Sequence, residues 1–375
     1  MRPVALDEKL FNELANARGE GLVSVLMATH VKGPEIAQDR IRLKNALTEV
    51  DGMLTAADWR RTDRDARLEK ARGLLDDEDF WAHQARGLAL YVDSDGDITP
   101  VALGEAPPAL STVADCFHVR HLIAPLVRAS LPALVLTKGS VALYAVDSGG
   151  AQPVDADLPA SFDDANWFVD REPQEQRHAD SAGSAGVRHG HDPSDRVAED
   201  LNRFLRAVAQ ALPEGARKGP IVVFGDDPIV DGFRRVFDSK VIGLGLDGTG
   251  RADSLAEIGR RVGAVIDERA SARLVANREA AQDALGTADT VTLFPDVLYA
   301  AVSGRLSHVY LRSDADPIWG RFDAPALDAA AVDERAVGTV DLLDRLAVTA
   351  RGTGASVLPM TGDADGCDFV GVRRF

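Results

Sequence analysis

The chain has few cysteines, no long apolar run and no excess of positive charge. Only two of its 375 residues are cysteines, Cys116 and Cys367. They are too few for a disulfide framework or a cysteine-rich metal site, and they fit a reducing compartment. No apolar stretch approaches the ~20 residues that span a bilayer, and residues 1–21 lack the apolar core of a signal peptide. We therefore expect a cytoplasmic protein without a membrane partner.

The charge balance narrows the class of partner. The formal net charge is −17, whereas a protein that coats nucleic acid indiscriminately is basic. Any contact with nucleic acid must therefore use a local patch, and we do not expect DNA as a partner. A hydrophobic content of 45% with 27% charged residues is ordinary for a globular chain.

Length and patterning predict a mixed α/β protein, since 375 residues are too many for one core. LVSVLMATH, residues 22–30, predicts a buried strand because it is a short continuous apolar run. It is followed by a predicted long helix from about residue 35 to 54. LTKGSVAL predicts a β-hairpin around Lys138-Gly139, and PIWGRFDAP predicts a surface turn. We divide the chain into three domains: residues 1–130, 131–277 and 278–375.

A polar stretch in the middle of the chain, residues 171–193, has no hydrophobic period. It carries three of the eight histidines, His178, His189 and His191, and three glycines. Loops of this length inside a domain are usually functional or disordered. A helix should follow, with Pro193 in its first turn and Ser194 or Asp195 as its cap. Its apolar positions fall at helical spacing and predict one buried face: Val197, Leu201, Phe204, Leu205, Val208 and Leu212.

Two helices carry basic residues that are candidates for phosphate contact. Arg40, Arg42 and Lys44 lie near the start of the helix predicted at 35–54, with Arg40 and Lys44 on a shared face. A second predicted helix, residues 58–75, places Arg60, Arg64 and Arg67 in one stripe. Interleaved acidic residues favour a solvated face for this second set.

Few residues suggest catalysis. His189 and His191 would supply two metal ligands beside Asp192, although two histidines in a loop without a rigid surround are more often solvated. Asp226 and Asp227 follow a predicted strand and would bind a metal or, as we prefer, cap the helix that Pro228 begins. We assign no catalytic residue, and we expect no cofactor and no metal.

Several segments occur in an order that resembles the bacterial members of the archaeo-eukaryotic release factor superfamily, relatives of class 1 release factors and of Pelota. The resemblance covers nearly the whole chain. Its most specific parts are Gly33-Pro34-Glu35 through Lys44-Asn45, Trp81-x-His83-Gln84, and Trp319 to Asp323, with LPALVLTKGSVALY and DLLDRLAV. It implies a mixed-sheet N-terminal domain, a ribonuclease-H-like middle domain and a C-terminal α/β/α sandwich like kink-turn-binding ribosomal proteins.

The resemblance also implies a function. In release factors the middle domain carries a Gly-Gly-Gln loop that promotes hydrolysis of peptidyl-tRNA. The matching place here is the polar stretch, whose tip reads Gly186-Val187-Arg188-His189-Gly190-His191, so that the Gly-Gly-Gln motif is absent and the tip lacks the glutamine. Gly149-Gly150-Ala151-Gln152 resembles the motif with one residue inserted, and we interpret it as a hairpin turn.

We therefore expect a ribosome-associated factor acting in rescue or hibernation without hydrolysis. Its partners would be rRNA, tRNA and a translational GTPase. Its ribosome-binding residues would be Arg188, His189, Gly190, His191, Arg40, Arg42 and Lys44. The alternatives are a metal-dependent nuclease or esterase that uses the His189/His191 loop, and an interaction scaffold that no longer binds the ribosome.

Overall fold

The computed structural model describes residues 1–31, 33–127, 130–147, 150–162, 193–246, 254–323, 328–332 and 335–374. Contacts divide the chain into two compact units. Unit 1 comprises Met1–Ala129 with Asp267–Phe375, and unit 2 comprises Ser130–Ile266. Both contain helices and several strands, which confirms the mixed α/β class. The division into three domains stays a prediction. No helix of the described ranges is both long and apolar enough to cross a membrane.

The first sheet of unit 1 is built on the predicted apolar strand. Its four strands are antiparallel in the order β3-β2-β1-β4: β1 (Leu22–Ala28), β2 (Gly87–Val92), β3 (Ile98–Leu103) and β4 (Leu110–Ala114). Val23 pairs with Val92 across β1 and β2 and with Val113 across β1 and β4. Nearly every residue of β1 is buried, which explains why its apolar run shows no alternation.

Helices cover this sheet: α1 (Glu8–Asn16), α2 (Ile36–Ala56), α3 (Arg61–Gly73), α4 (Glu78–Ala82) and α5 (Ile123–Val127). The long helix predicted after β1 is confirmed as α2. Its residues Leu43, Leu47, Val50 and Leu54 are at most 2% exposed, and they pack with residues of β1, α3 and α4 in one hydrophobic cluster. Burying each such leucine or valine stabilises the fold by roughly 1.5–3 kcal/mol.

The C-terminal part of unit 1 has two further sheets. One has the order β10-β16-β11-β15 and the other β13-β12-β14. The elements are β10 (Thr290–Val291), α10 (Phe294–Val302), β11 (Leu306–Arg312), β12 (Trp319–Asp323), β13 (Asp328–Ala331), β14 (Val340–Asp341), α11 (Leu342–Gly352), β15 (Ser356–Met360) and β16 (Phe369–Arg373). The surface turn predicted for PIWGRFDAP is wrong for Trp319–Asp323, because these residues pair with β13 and β14 as a strand.

One hydrophobic cluster joins the two stretches of unit 1. Phe11, Leu22 and Val119 belong to the same cluster as Leu306 and Leu346. The regions that we predicted as first and third domains thus share a core in unit 1.

Unit 2 is built on a five-stranded sheet in the order β7-β6-β5-β8-β9. Its strands are β5 (Leu131–Leu136), β6 (Val141–Asp147), β7 (Gly150–Pro153), β8 (Ile221–Phe224) and β9 (Val241–Leu244). β5, β6 and β7 are antiparallel neighbours, which confirms the hairpin at Lys138-Gly139. The turn predicted for Gly149-Gly150-Ala151-Gln152 is wrong for its last three residues, because they belong to β7 and pair with β6; Gly149 lies outside the described residues. β5, β8 and β9 are parallel.

The helices of unit 2 pack on both faces of that sheet. They are α6 (Pro193–Ala211), α7 (Glu214–Arg217), α8 (Asp227–Val236) and the first part of α9 (Leu255–Leu285). Phe204, Leu205 and Val208 of α6, and Leu212 immediately after it, are at most 1% exposed, as their helical spacing predicts. The predicted cap is wrong: α6 already begins at Pro193, so Ser194 and Asp195 lie inside its first turn.

Candidate functional site

The predicted site residues fall into two groups. Arg188, His189, Gly190 and His191 lie outside the described residues, and their role stays a prediction. Arg40, Arg42 and Lys44 lie in the first half of α2. Lys44 is exposed, Arg40 is half-buried, and the side chain of Arg42 is 45% exposed.

A buried carboxylate fixes the conformation of Arg42. Asp39 has a side chain that is 0% exposed, and its Oδ1 accepts a hydrogen bond from Arg42 Nη1 at 2.6 Å. Charge-assisted hydrogen bonds of this kind are among the stronger ones in proteins. Arg42 is therefore held in place before any partner binds, whereas Lys44 shows no such contact among the described residues.

The same carboxylate holds His30, which follows β1. The backbone N–H of His30 donates to Asp39 Oδ2 at 2.7 Å, and His30 Nδ1 lies 2.9 Å from Oδ1. With Nδ1 bonded to the carboxylate, Nε2 is the ring nitrogen left to accept a bond or, when protonated, to donate one. The His30 side chain is 39% exposed.

We call Asp39, His30, Arg40, Arg42 and Lys44 the α2 cluster. Sequence analysis named its three basic residues but missed Asp39 and His30. A signal was present: Asp39 occupies a position in the buried stripe of α2, together with Leu43 and Leu47, where an apolar residue is expected. Val31 and Ile41, each 49% exposed, add apolar surface beside it. Fixed cations next to exposed apolar groups are chemically suited to contact RNA phosphates and bases.

The arginines of the second predicted helix do not form a phosphate-binding stripe. Arg67 is buried, and it donates to the carbonyl oxygens of Glu20, Gly21 and Ser94. Burial lowers its pKa. Arg64 donates to the Trp59 carbonyl at 2.8 Å. The preferred interpretation of a solvated face is also wrong for Arg67, because its guanidinium satisfies carbonyl groups of the core.

Asp226 and Asp227 lie where a metal site or a helix cap was expected. Asp226 is the N-cap residue of α8 and Pro228 lies in the first turn, but the Asp226 side chain makes no capping hydrogen bond. The capping position is therefore confirmed without the capping bond. Within the described ranges there is no group of three or more His, Cys, Asp or Glu side chains placed to hold a metal ion.

A second polar cluster is buried in unit 1, and sequence analysis did not foresee it. Asp344 in α11 accepts hydrogen bonds from the backbone N–H groups of Val119 at 2.7 Å and Arg120 at 2.5 Å. Arg345 donates to Asp344 and to the carbonyl of Phe117. Burial alone would raise the pKa of Asp344, but Arg345, His118 and the backbone donors together lower it.

The pKa values of neighbouring groups in this cluster are also shifted. Arg120 Nε lies 3.2 Å from Asp341 Oδ2, and burial raises the pKa of Asp341 to about 6. The imidazole of His118 lies 4.0 Å from the same oxygen, and burial lowers its pKa to about 3. DLLDRLAV, which supports the family resemblance, thus supplies the carboxylates that hold residues 117–120.

One protein-family model matches part of the chain. Residues 133–305 match bacterial archaeo-eukaryotic release factor family 3. Over these residues the chain is similar to the bacterial archaeo-eukaryotic release factors. The resemblance read from the sequence is therefore confirmed. The matched region contains the whole polar stretch at 171–193. No curated protein matches the chain.

Solved structures resemble the chain only distantly. Ribosome-bound archaeal Pelota, solved with ABCE1, is 11% identical with a TM-score of 0.39, over 77% of this chain and 78% of its own. Archaeal termination factor aRF1 is 12% identical with a TM-score of 0.25, over 99% of each chain. Dom34 of S. cerevisiae, which interacts with Hbs1, is 10% identical with a TM-score of 0.34, over 77% and 81%. All three TM-scores are below 0.5.

Proposed function

We propose that this protein is a ribosome-associated translation factor that acts in rescue or hibernation without hydrolysing peptidyl-tRNA. The observation that carries the proposal is the family match over residues 133–305, which includes the stretch that takes the place of the Gly-Gly-Gln loop. Its segment at residues 186–191 contains Gly186 and Gly190 but no glutamine and no Gly-Gly-Gln motif. The proposed partners are rRNA, tRNA and a translational GTPase, and the proposed location is the cytoplasm.

The sheet of unit 2 supports the proposed domain assignment. Unit 2 has three antiparallel strands followed by two parallel ones, as the proposed ribonuclease-H-like middle domain at 131–277 requires. Residues 1–130 and 278–375 are the proposed N-terminal and C-terminal domains. In this proposal Arg188, His189, Gly190 and His191 contact RNA near the tRNA acceptor end, and the α2 cluster contacts RNA near the decoding region.

The α2 cluster fits this role because it concentrates positive charge on a chain with a net charge of −17. Phosphate contacts dominate affinity for RNA and make it depend on salt. A local patch of Arg40, Arg42 and Lys44 gives a weak but oriented contact, whereas the net negative charge of the chain disfavours binding of RNA elsewhere.

Co-sedimentation with 70S ribosomes tests the proposal. We expect the purified chain to pellet with ribosomes at low salt, and Arg40→Glu with Lys44→Glu to reduce binding about tenfold or more, since two charges reverse sign. Arg60→Glu is the matched control, because Arg60 is an exposed arginine immediately before α3. Absence of the chain from the ribosomal pellet at all salt concentrations would remove the proposal.

A second assay separates this function from the enzymatic alternative. Incubation with peptidyl-tRNA on ribosomes should release no peptide, and incubation with RNA and a divalent metal should give no cleavage. Cleavage that is lost in His191→Ala would instead establish a nuclease or esterase that uses the His189/His191 loop.

A further inference from the structure

A crevice in unit 1 belongs to neither the α2 cluster nor the polar stretch. It consists of two adjoining cavities that share Ala124 and Pro359 as lining residues, of about 450 Å³ and about 310 Å³. Both volumes include the open space at the cavity mouths. Leu274 of α9 and Pro125 of α5 add to the walls of the larger cavity, so most of the lining is apolar.

The smaller cavity contains polar groups that lack partners. Arg120 is 3% exposed. Its Nη2 donates to the Ala315 carbonyl at 2.9 Å, but its Nη1 has no hydrogen-bond partner within the described ranges. The hydroxyl of Ser313, also lining this cavity, is buried and unpartnered among the same residues. Unpaired buried donors are unfavourable, so an oxygen acceptor placed here would be bound.

The charges around the crevice indicate an uncharged ligand. Arg120 is already paired with Asp341, 3.2 Å away, and the larger cavity is bordered by Glu105 and Arg273, of opposite sign. Burial lowers the pKa of His121 to about 4, so this lining imidazole is neutral at pH 7. Because these charges already balance one another, an added anion or cation would leave a net charge in the crevice, which a poorly solvated site disfavours.

We propose that this crevice binds a small uncharged molecule with an apolar body and a carbonyl group, whose oxygen accepts hydrogen bonds from Arg120 and Ser313. The body lies between Ala124, Leu274 and Pro359. The site is lined by residues from both sequence stretches of unit 1, so an occupant stabilises the association of those stretches. This inference does not depend on the ribosomal role.

Three probes of similar shape test it with the full chain: benzamide, benzoate and benzylammonium. Saturation-transfer NMR should show benzamide binding with a Kd of about 1 mM, as expected for a ligand of this size. Benzoate and benzylammonium should bind at least about tenfold more weakly, because each carries an uncompensated charge. Absence of benzamide binding overturns the proposal, because the crevice then holds only water. Benzoate binding as strong as that of benzamide also overturns it.

Two variants locate the site. Ala124→Trp should fill the crevice and abolish benzamide binding, whereas Ala272→Trp, at an exposed position on α9, should leave it unchanged. Ser313→Ala removes one donor with little change in volume and should weaken benzamide about fivefold, as loss of one hydrogen bond predicts. Benzamide binding that is unchanged in both Ala124→Trp and Ser313→Ala places the ligand elsewhere and refutes the assignment.

Discussion

Replacing Asp344 with alanine tests whether the buried polar cluster holds unit 1 together. Asp344 is 2% exposed, accepts from two backbone N–H groups and pairs with Arg345. The substitution leaves a buried guanidinium without its carboxylate and two buried N–H groups without their acceptor. Removing one partner of a buried ion pair costs about 3–5 kcal/mol.

The expected loss of unfolding free energy for Asp344→Ala is therefore about 4 kcal/mol. Asp344→Asn should lose about half as much, because one amide oxygen can still accept both backbone N–H bonds, as Oδ1 does, while the charge that pairs with Arg345 is lost. For a folded unit of more than 200 residues, 4 kcal/mol corresponds to a decrease in Tm of roughly 10 °C. This is a large share of the 5–15 kcal/mol that stabilises an ordinary protein.

Urea unfolding followed by tryptophan fluorescence is a suitable assay, because Trp59, Trp81 and Trp319 all lie in unit 1. Asp316→Ala is the matched control, since Asp316 is an exposed aspartate of the same unit. If Asp344→Ala loses no more than the control, the carboxylate does not hold residues 117–120 and the reasoning is refuted.

Three further predictions concern other buried groups. The folded-state pKa of His118 is lowered to about 3, and the unfolded imidazole titrates near 6.5. The neutral, buried imidazole is therefore fully compatible with folding above pH 6.5, and stability is lost as pH falls from 6.5 toward 3. His118→Asn should then reduce the slope of unfolding free energy against pH by up to about 1.4 kcal/mol per unit, measured by urea titration at several pH values. Arg67→Ala should cost about 3 kcal/mol in urea unfolding, because three carbonyls lose their donor, whereas exposed Arg60→Ala should change stability by less than about 0.5 kcal/mol. Phe204→Ala should cost about 3–5 kcal/mol by calorimetry of unit 2, and exposed Arg203→Ala should cost little.

The sequence predicted helices and strands correctly where the spacing of apolar residues alone determines which positions are buried. β1 and α2 were predicted because a continuous apolar run and a helical apolar stripe each match one local geometry. The start of α3 was predicted too early: Asp58 has a φ of 61°, a left-handed conformation that does not belong to a helix, and α3 begins at Arg61.

The buried charges could not be predicted from local pattern. Arg67 and Arg345 occupy helix positions that would be solvated if each helix stood alone. Their partners come from distant segments: Gly21 for Arg67, and Phe117 for Arg345. Only the three-dimensional arrangement of unit 1 reveals these contacts. Asp39 is a different case: its position in the apolar stripe of α2 was visible in the sequence, but its bond to His30, which follows β1, was not.

The proposed function requires the stretch around Arg188 to reach ribosomal RNA or tRNA. The most direct measurement places a photo-crosslinking amino acid at position 188 and irradiates the chain bound to 70S ribosomes carrying tRNA. The account predicts crosslinks to tRNA or to large-subunit rRNA. Crosslinks confined to the chain itself would mean that this stretch packs against its own unit, and would contradict the account.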